Sequence, residues 1–434
     1  MLWLLLCLAP HVGLGADGGE MLGAWRLDDG RVLTLAPSAD GTWRYRHLGD
    51  GRSGRLHPRG EDRWQAGPGF ADAEPPALVV VRRSEGRLEW AETGAAAQQA
   101  TRVSVREIDL VFPSGGARIA GRLVLPNAPG PHPVVVLIHG SERLPAVGQW
   151  HDPYMLAAHG IGAFVYDKRG TGRSGGSFSA NFVQLADDAA AAAKVLSARE
   201  DVDAKRIGFA GFSQGGWVAP RAAERFAGTR AVLVAYGAVG SPLQEDRWQC
   251  HEALRHAGGS AADMAGLDRL VDATHVLLAR DLQGDWSGFE AAAGSAKKQP
   301  WFSRLEDGQC IAAGFARYPA WLLRTFARKR LPPGLDWTYD STALLRRSDV
   351  PMLWLLAGQD SEAPTELTAA SLAALAREGR PIESVTLAGT EHGMLLFREA
   401  SGQRVSLGYH PEYFRRMLAF WQQHLGSASG EKPR

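Results

Sequence analysis

Hydrophobic and polar positions along this chain fall into two regimes. From residue 20 to about 100, runs such as "GAWRLDDGRVLTLAP", "GTWRYRHLG" and "ALVVVRRSEGRLEWAE" carry β-branched and aromatic residues, with Asp-Gly or Glu-Gly at the breaks. That pattern predicts short antiparallel strands joined by turns. Trp25, Trp43, Trp64 and Trp90 recur at unequal intervals and read as the core of a small sheet rather than a repeat. "GAAAQQA", 94–100, reads as a linker.

From residue 103 the pattern changes. "VSVREIDLVF" and "ARIAGRLVLP" alternate around "PSGG" and predict a hairpin. Continuous apolar runs follow: "PVVVLIHG", "GIGAFVYD", "RIGFAGF", "AVLVAYG", "PMLWLLAG" and "PIESVTLAG". Helical stretches are predicted over 183–198, 214–227, 365–378 and 411–425. Non-alternating strands interleaved with helices indicate a mostly parallel sheet covered on both faces, an α/β class. A mostly helical stretch rich in Trp, Phe and Tyr, 241–345, interrupts this rhythm and is expected to sit over one edge as a cap. The expected division is a β-rich N-terminal domain (17–102), an α/β core in two parts (103–240 and 346–426), the helical cap insertion (241–345) and a tail (427–434).

The opening "MLWLLLCLAPHVGLGADGG" differs from the rest. Its apolar stretch is too short for a bilayer-spanning helix and ends in small residues, as a secretory signal does. A signal peptide over 1–16 is expected, with a secreted or periplasmic location and no stable membrane insertion. The other reading is an N-terminal strand or helix tucked into the fold, since no Lys or Arg precedes the apolar run. Balanced charge, 48 basic against 47 acidic residues, leaves no footprint for nucleic acid. With the leader removed, Cys250 and Cys310 remain, either joined or as two buried thiols. No metal-ligand spacing, Walker loop or dinucleotide fingerprint occurs, so neither metal nor cofactor is implied.

Candidate chemistry begins with a GxSxG pattern that occurs twice, at Ser174 and Ser213, and is weak alone among 51 glycines. Context separates the two. A nucleophile elbow needs a strand ending in a sharp turn and a helix starting directly after it. "RIGFAG" runs into Ser213 and "QGGWVAPRAAERFA" leaves it, with Pro220 in the early turns of the helix. Ser174 follows "FVYDKRGTG", where a loop intervenes. A serine hydroxyl needs a base, and reactive groups gather at the carboxyl ends of strands in such sheets. Asp360 follows "PMLWLLAGQ" and His392 follows "SVTLAGTE"; Glu362 and His410 are the fallback acid and base. Anion stabilisation is expected from the backbone N–H of Gln214 and from the loop after "PVVVLIHGS", at Ser141.

These signatures together resemble the serine-dependent α/β-hydrolase superfamily, in particular esterase and dipeptidyl-aminopeptidase-like hydrolases with a β-rich N-terminal extension. The matching segments are "VVVLIHGS", "VYDKRGTGRSGG", "VDAKRIGFAGFSQGG", "DVPMLWLLAGQD" and "GTEHGM", within about 105 to 425. The resemblance implies the α/β-hydrolase fold, a nucleophile at Ser213, an acid at Asp360, a base at His392 and oxyanion donors at Ser141 and Gln214. Glu142-Arg143-Leu144 departs from the glycine-proline pair that often follows "HGS" in such sequences. The expected activity is cleavage of a small-molecule carboxylic ester, with a hydrophobic acyl or short peptide-like group, through an acyl-enzyme. A peptidase or amidase, a thioesterase, and a non-catalytic binding module on the same scaffold remain open. Trp286, Trp301, Phe302, Trp321 and Trp337 of the insertion are expected to shield the site and offer an apolar wall. An ordinary histidine base would make activity fall on acidification with a midpoint of roughly 6 to 7.

Overall fold

Eight short strands occupy the first hundred residues. They are β1 (Gly23–Leu27), β2 (Val32–Pro37), β3 (Trp43–His47), β4 (Ser53–Pro58), β5 (Arg63–Ala66), β6 (Leu78–Ser84), β7 (Arg87–Glu92) and β8 (Gln98–Arg102). The computed structural model describes residues 21–426 apart from 68, 71–77, 85, 306, 307, 309, 401 and 402. The expected signal peptide (1–16) and tail (427–434) lie outside the described residues. The eight strands form not merely a sheet but a closed antiparallel barrel, because β1 pairs with both β2 and β8. Residues 98–100, read from sequence as linker, belong to β8, with Ala100 opposite Leu27. Closure buries Trp25, Leu35, Leu56, Val80 and Trp90 in one core, and alternation along β1 and β7 turns both tryptophans inward.

The second unit is built on an eight-stranded mixed sheet. Its strands are β9 (Val105–Ser114), β10 (Ala117–Pro126), β11 (His132–Ile138), β12 (Gly162–Tyr166), β13 (Val202–Phe212), β14 (Thr229–Ala235), β15 (Met352–Ala357) and β16 (Ile382–Leu387). The spatial order is β16-β15-β14-β13-β11-β12-β10-β9. The pairs from β12 through β16 are parallel, and the β9–β10 hairpin adds antiparallel to β12. Helices α1 (Asp152–Ala158), α2 (Phe182–Ser197) and α3 (Gly215–Arg225) follow β11, β12 and β13. Alanine-rich α2 buries Ala186, Ala189, Ala192 and Ala193, small side chains that let helix and sheet approach closely. Pro220 lies inside α3, in its second turn, as the sixth residue of the helix. Its missing donor leaves the Gly216 carbonyl without an i+4 partner.

Between β14 and β15 the insertion folds as α4 (Pro242–His256), α5 (Ala261–Leu278), α6 (Ser287–Ala296), α7 (Ile311–Ala316), α8 (Ala320–Arg330) and α9 (Thr342–Arg347). Capping boxes at Ser241 and Ser260 start α4 and α5. A disulfide joins Cys250 in α4 to Cys310 at the start of α7, closing a 60-residue separation. Trp286, Trp301, Phe302 and Trp337 enter the insertion's own core, while Trp321 is 67% exposed. There they pack with Leu254, Leu267, Leu270 and Phe315 and give the inserted helices a core of their own.

The chain closes with α10 (Thr365–Arg377), a three-stranded sheet of β17 (Thr390–Glu391), β18 (Leu395–Ala400) and β19 (Gln403–Tyr409), and α11 (Pro411–Leu425). Trp421 of α11 lies so close to β13 that a Cβ on Gly208 would come within 2.6 Å of its indole. The barrel docks on this unit through buried polar contacts. Arg46 Nη1 donates to Asp152 at 3.1 Å, Arg46 Nη2 to the Tyr409 hydroxyl at 2.6 Å, and Thr34 meets His151 at 2.9 Å. No described helix is long and apolar enough to cross a membrane.

Candidate active site

Strand β13 ends at Phe212 and α3 begins at Gly215, so only Ser213 and Gln214 make the turn. Ser213 adopts φ = 54°, the left-handed region that non-glycine residues rarely occupy. The turn closes so tightly that a Cβ on Gly211 would collide with the Gly215 carbonyl. Small residues at 211 and 215 are therefore what the chain needs to lift one hydroxyl above the sheet.

Three strand ends converge there. His392 Nε2 lies 3.0 Å from Ser213 Oγ, and its Nδ1 lies 3.0 Å from both oxygens of Asp360. Asp360 Oδ1 also accepts from the backbone N–H groups of Glu362 and Ala363, at 2.8 and 2.9 Å. Glu391 ties the two supporting loops together: its Oε1 accepts from Ser361 N at 2.7 Å and His392 N at 2.8 Å, and Arg404 pairs with its other oxygen. The Tyr236 ring packs edge-on against His392 with centroids 5.0 Å apart. Hydroxyl, imidazole and carboxylate in this order are the parts that general-base activation of a serine requires.

The other sequence candidates lie elsewhere or play different parts. Ser174 Oγ donates to the Asp167 carbonyl at 2.6 Å and accepts from Ala120 N at 2.9 Å, which commits it to the loop. His410 accepts from Glu412 N and starts α11. Glu362 Oε2 approaches His392 at Nε2, 3.7 Å away, on the serine side of the ring.

The loop after β11 presses against the serine: a Cβ on Gly140 would stand 3.2 Å from Ser213 Cβ. Buried Lys168 donates to the Gly140 carbonyl. Because C=O and N–H of one peptide plane point in opposite directions, this bond turns the Ser141 N–H away from Lys168. Among the described residues, no protein group accepts from the Ser141 or Gln214 backbone N–H. Glu142, the departure noted in the sequence, folds back to accept from or pair with His139 Nδ1 at 2.9 Å. Burial would raise its carboxyl, but His139 and Lys168 hold it at about 2. Burial brings the Lys168 ammonium down to about 8 despite Glu142. Arg143 stacks over the Phe178 ring at 4.5 Å.

The imidazole sits in an acidic setting. Burial disfavours its charged form, yet the hydrogen bond and charge of Asp360, then the charges of Glu362 and Glu245, raise it to about 9. This lies above the ordinary histidine value expected from sequence. Burial also raises Glu245, on α4, to about 8, with His392 opposing and Asp360 and Glu362 adding. Sequence reasoning missed Glu245, Lys168, Tyr236 and Glu391. Lys168 and Glu391 stood within the quoted motifs, and Tyr236 directly follows β14 as Ser213 follows β13. Among the described residues no cluster of three or more His, Cys, Asp or Glu is arranged to hold a metal.

Comparison with known proteins agrees with this architecture. The family model of the alpha/beta hydrolase family matches residues 135–405. That is more than half of the chain, and the chain belongs to this family. Esterase EstD of Thermotoga maritima is 30% identical over 202 residues, 41% of this chain and 44% of the relative, so the match spans less than half of that relative's length. Among solved structures, an acylaminoacyl peptidase of Pyrococcus horikoshii is similar with TM-score 0.47 and 12% identity, covering 91% of this chain and 56% of the other. A puromycin-hydrolyzing peptidase of Mycobacterium tuberculosis gives TM-score 0.46 and 18% identity, covering 95% and 55%.

Proposed function

We propose that the chain is an exported serine hydrolase that cleaves carboxylic esters through an acyl-enzyme. The observation that carries this reading is the hydrogen-bonded series Asp360–His392–Ser213. His392 Nε2 takes the Ser213 proton as Oγ attacks the ester carbonyl, and Asp360 holds the proton on Nδ1 and offsets the positive charge. The Ser141 and Gln214 N–H groups receive the oxyanion, aided by the N-terminus of α3. Collapse expels the alcohol, which takes the proton from His392. Water, activated by the same nitrogen, then releases the acid. Export is supported by the apolar leader and by the Cys250–Cys310 disulfide, which suits an oxidising compartment; the N-terminal sequence of the secreted form tests it. Labelling with a fluorophosphonate, digestion and mass spectrometry test the chemistry: the adduct is expected on Ser213, and an adduct elsewhere or none rejects the assignment.

One observation favours a second reading. Glu362 places a carboxylate 3.7 Å from His392 Nε2, which suits a substrate with a protonated amine, as in peptide or amide cleavage from a free amino end. Matched ester and anilide substrates, each with and without a free amino group, separate the two.

Two outcomes follow from the surroundings of the reacting atoms. A base must be neutral to act, and His392 is held at about 9, so kcat/KM is expected to rise with pH through 7 and level only above about 9. Glu362→Gln removes one of the charges that raise the imidazole and moves this limb to lower pH. A pH profile levelling below 7 in the wild-type protein contradicts the acidic setting. Lys168→Met frees the Gly140 peptide plane and is expected to lower kcat by about 10- to 100-fold with little change in KM. Equal thermal unfolding of variant and parent would show that the loss is in positioning.

A further inference from the structure

His392 stands in a turn outside the main sheet. The strand before it, β17, belongs to the three-stranded sheet with β18 and β19. Both ends of the turn lead to β19. Glu391 pairs with Leu395 of β18, which in turn pairs with Tyr409 of β19. At the other end the Met394 carbonyl accepts from His410 N at 3.0 Å. The position of the imidazole therefore follows the position of β19.

Two features fix that strand. Near Tyr409 the barrel clasps it. Tyr409 N donates to the Gly51 carbonyl at 2.8 Å, Phe70 N donates to the Ser406 carbonyl at 3.1 Å, and Arg52 forms an antiparallel bridge with Gly408. Backbone meets backbone here: a Cβ on Gly51 would collide with the Tyr409 carbonyl, and one on Gly69 would stand 2.6 Å from Leu407 Cα. At the other end of β19, Arg404 reaches both catalytic loops. Its Nη1 donates to the Gln359 carbonyl at 2.8 Å and pairs with Glu391 Oε2. One guanidinium thus grips the residue before Asp360 and the residue before His392. It lies over the Phe397 ring, 4.2 Å from the centroid. A planar, forked donor can serve a carbonyl and a carboxylate at once, which the point charge of a lysine does less well.

We propose that the N-terminal barrel and Arg404, acting through β19, form a positioning device that holds His392 in register with Ser213 and Asp360. The proposal rests on those three being the reacting groups. Gly51 and Arg404 act through the backbone and the Glu391 carboxylate that they hold, so they are positioning residues. A displacement of about 1 Å at a reacting group can lower a rate by about 100-fold, and this gives the barrel a part in catalysis.

Point variants of the full-length protein provide the test, read by ester turnover, circular dichroism and the rate of fluorophosphonate labelling at Ser213. Gly51→Ala drives a methyl group into the Tyr409 carbonyl and is expected to lower kcat by about 10-fold, with KM within about twofold of the parent. Gly30→Ala is the control. Gly30 has a similar positive φ, 85° against 75°, but nothing within 4 Å of an added Cβ, so parental kcat is expected. Arg404→Met is expected to lower kcat by about 10- to 100-fold at near-constant KM. Arg404→Lys is expected to recover part of that loss, because its ammonium still reaches Glu391. Labelling of Ser213 slows in step with kcat in each impaired variant. Gly69→Ala, which strikes β19 at Leu407, replaces Gly51→Ala if that variant does not fold. The proposal is overturned if any folded variant among Gly51→Ala, Gly69→Ala and Arg404→Met keeps kcat within twofold of the parent, or if Gly30→Ala loses as much as Gly51→Ala. A parent protein that the probe does not label at Ser213 rejects the triad itself, and the positioning device with it.

Discussion

Replacing Ser213 with alanine is expected to abolish ester cleavage, lowering kcat by about 10⁴- to 10⁶-fold, and to eliminate fluorophosphonate labelling while leaving the fold intact. The loss is large because, among the described residues, no other hydroxyl pairs with His392 Nε2, which sits 3.0 Å from Ser213 Oγ. A small residual rate from oxyanion stabilisation and substrate binding is compatible with this. The fold survives because alanine keeps the same Cβ in the same backbone conformation. Ser213→Gly makes a sharper companion. At φ = 54° a glycine relieves strain worth about 1 kcal/mol, so this variant is expected to be inactive and yet to unfold at a slightly higher temperature than the parent. Substrate turnover and thermal unfolding on the same samples check both. An alanine variant that keeps more than a hundredth of parental kcat removes Ser213 from the mechanism.

The elbow was legible in the sequence because everything that makes it is local. Strand, turn and helix lie within about twenty residues, and the glycines that permit the turn flank the serine itself. Asp360 and His392 were legible for a related reason: each follows an apolar run, and the parallel sheet brings the ends of such runs to one edge. The barrel was legible only as strands. Its closure depends on β1 meeting β8, with Trp25 opposite Arg102, and no local pattern announces a pairing between residues so far apart. The polar composition of 98–100 even suggested a linker, because one face of an edge-closing strand looks outward. The insertion's tryptophans could not be divided between site and core from sequence, because an aromatic cluster reads the same whether it lines a cleft or fills a core. The acidity around His392 was hidden for the same non-local reason. Glu245 comes from α4, far earlier in the chain, and its approach to the imidazole depends on how the inserted helices settle over the sheet.

The assignment of Asp360 over Glu362 yields the second large effect. Asp360→Asn is expected to lower kcat by about 10⁴-fold, whereas Glu362→Gln is expected to leave the plateau rate within a few-fold of the parent. Geometry separates the two carboxylates. Asp360 Oδ1 accepts from the Glu362 and Ala363 N–H groups, and an asparagine can keep those bonds only by presenting its oxygen to them and its amide N–H₂ to His392 Nδ1. That nitrogen must then accept, which moves the ring proton to Nε2, where it blocks acceptance of the serine proton. Glu362 stands 3.7 Å from Nε2 instead, on the wrong side to fix the tautomer but close enough to favour the charged ring. Its removal therefore changes where the pH limb falls and not how fast the neutral enzyme works. Full kcat/KM profiles of both variants distinguish these effects, because a displaced titration and a lowered plateau are separate features of one curve. Should Glu362→Gln collapse the plateau while Asp360→Asn retains it, the roles of the two carboxylates are reversed and the Nδ1 contact is incidental.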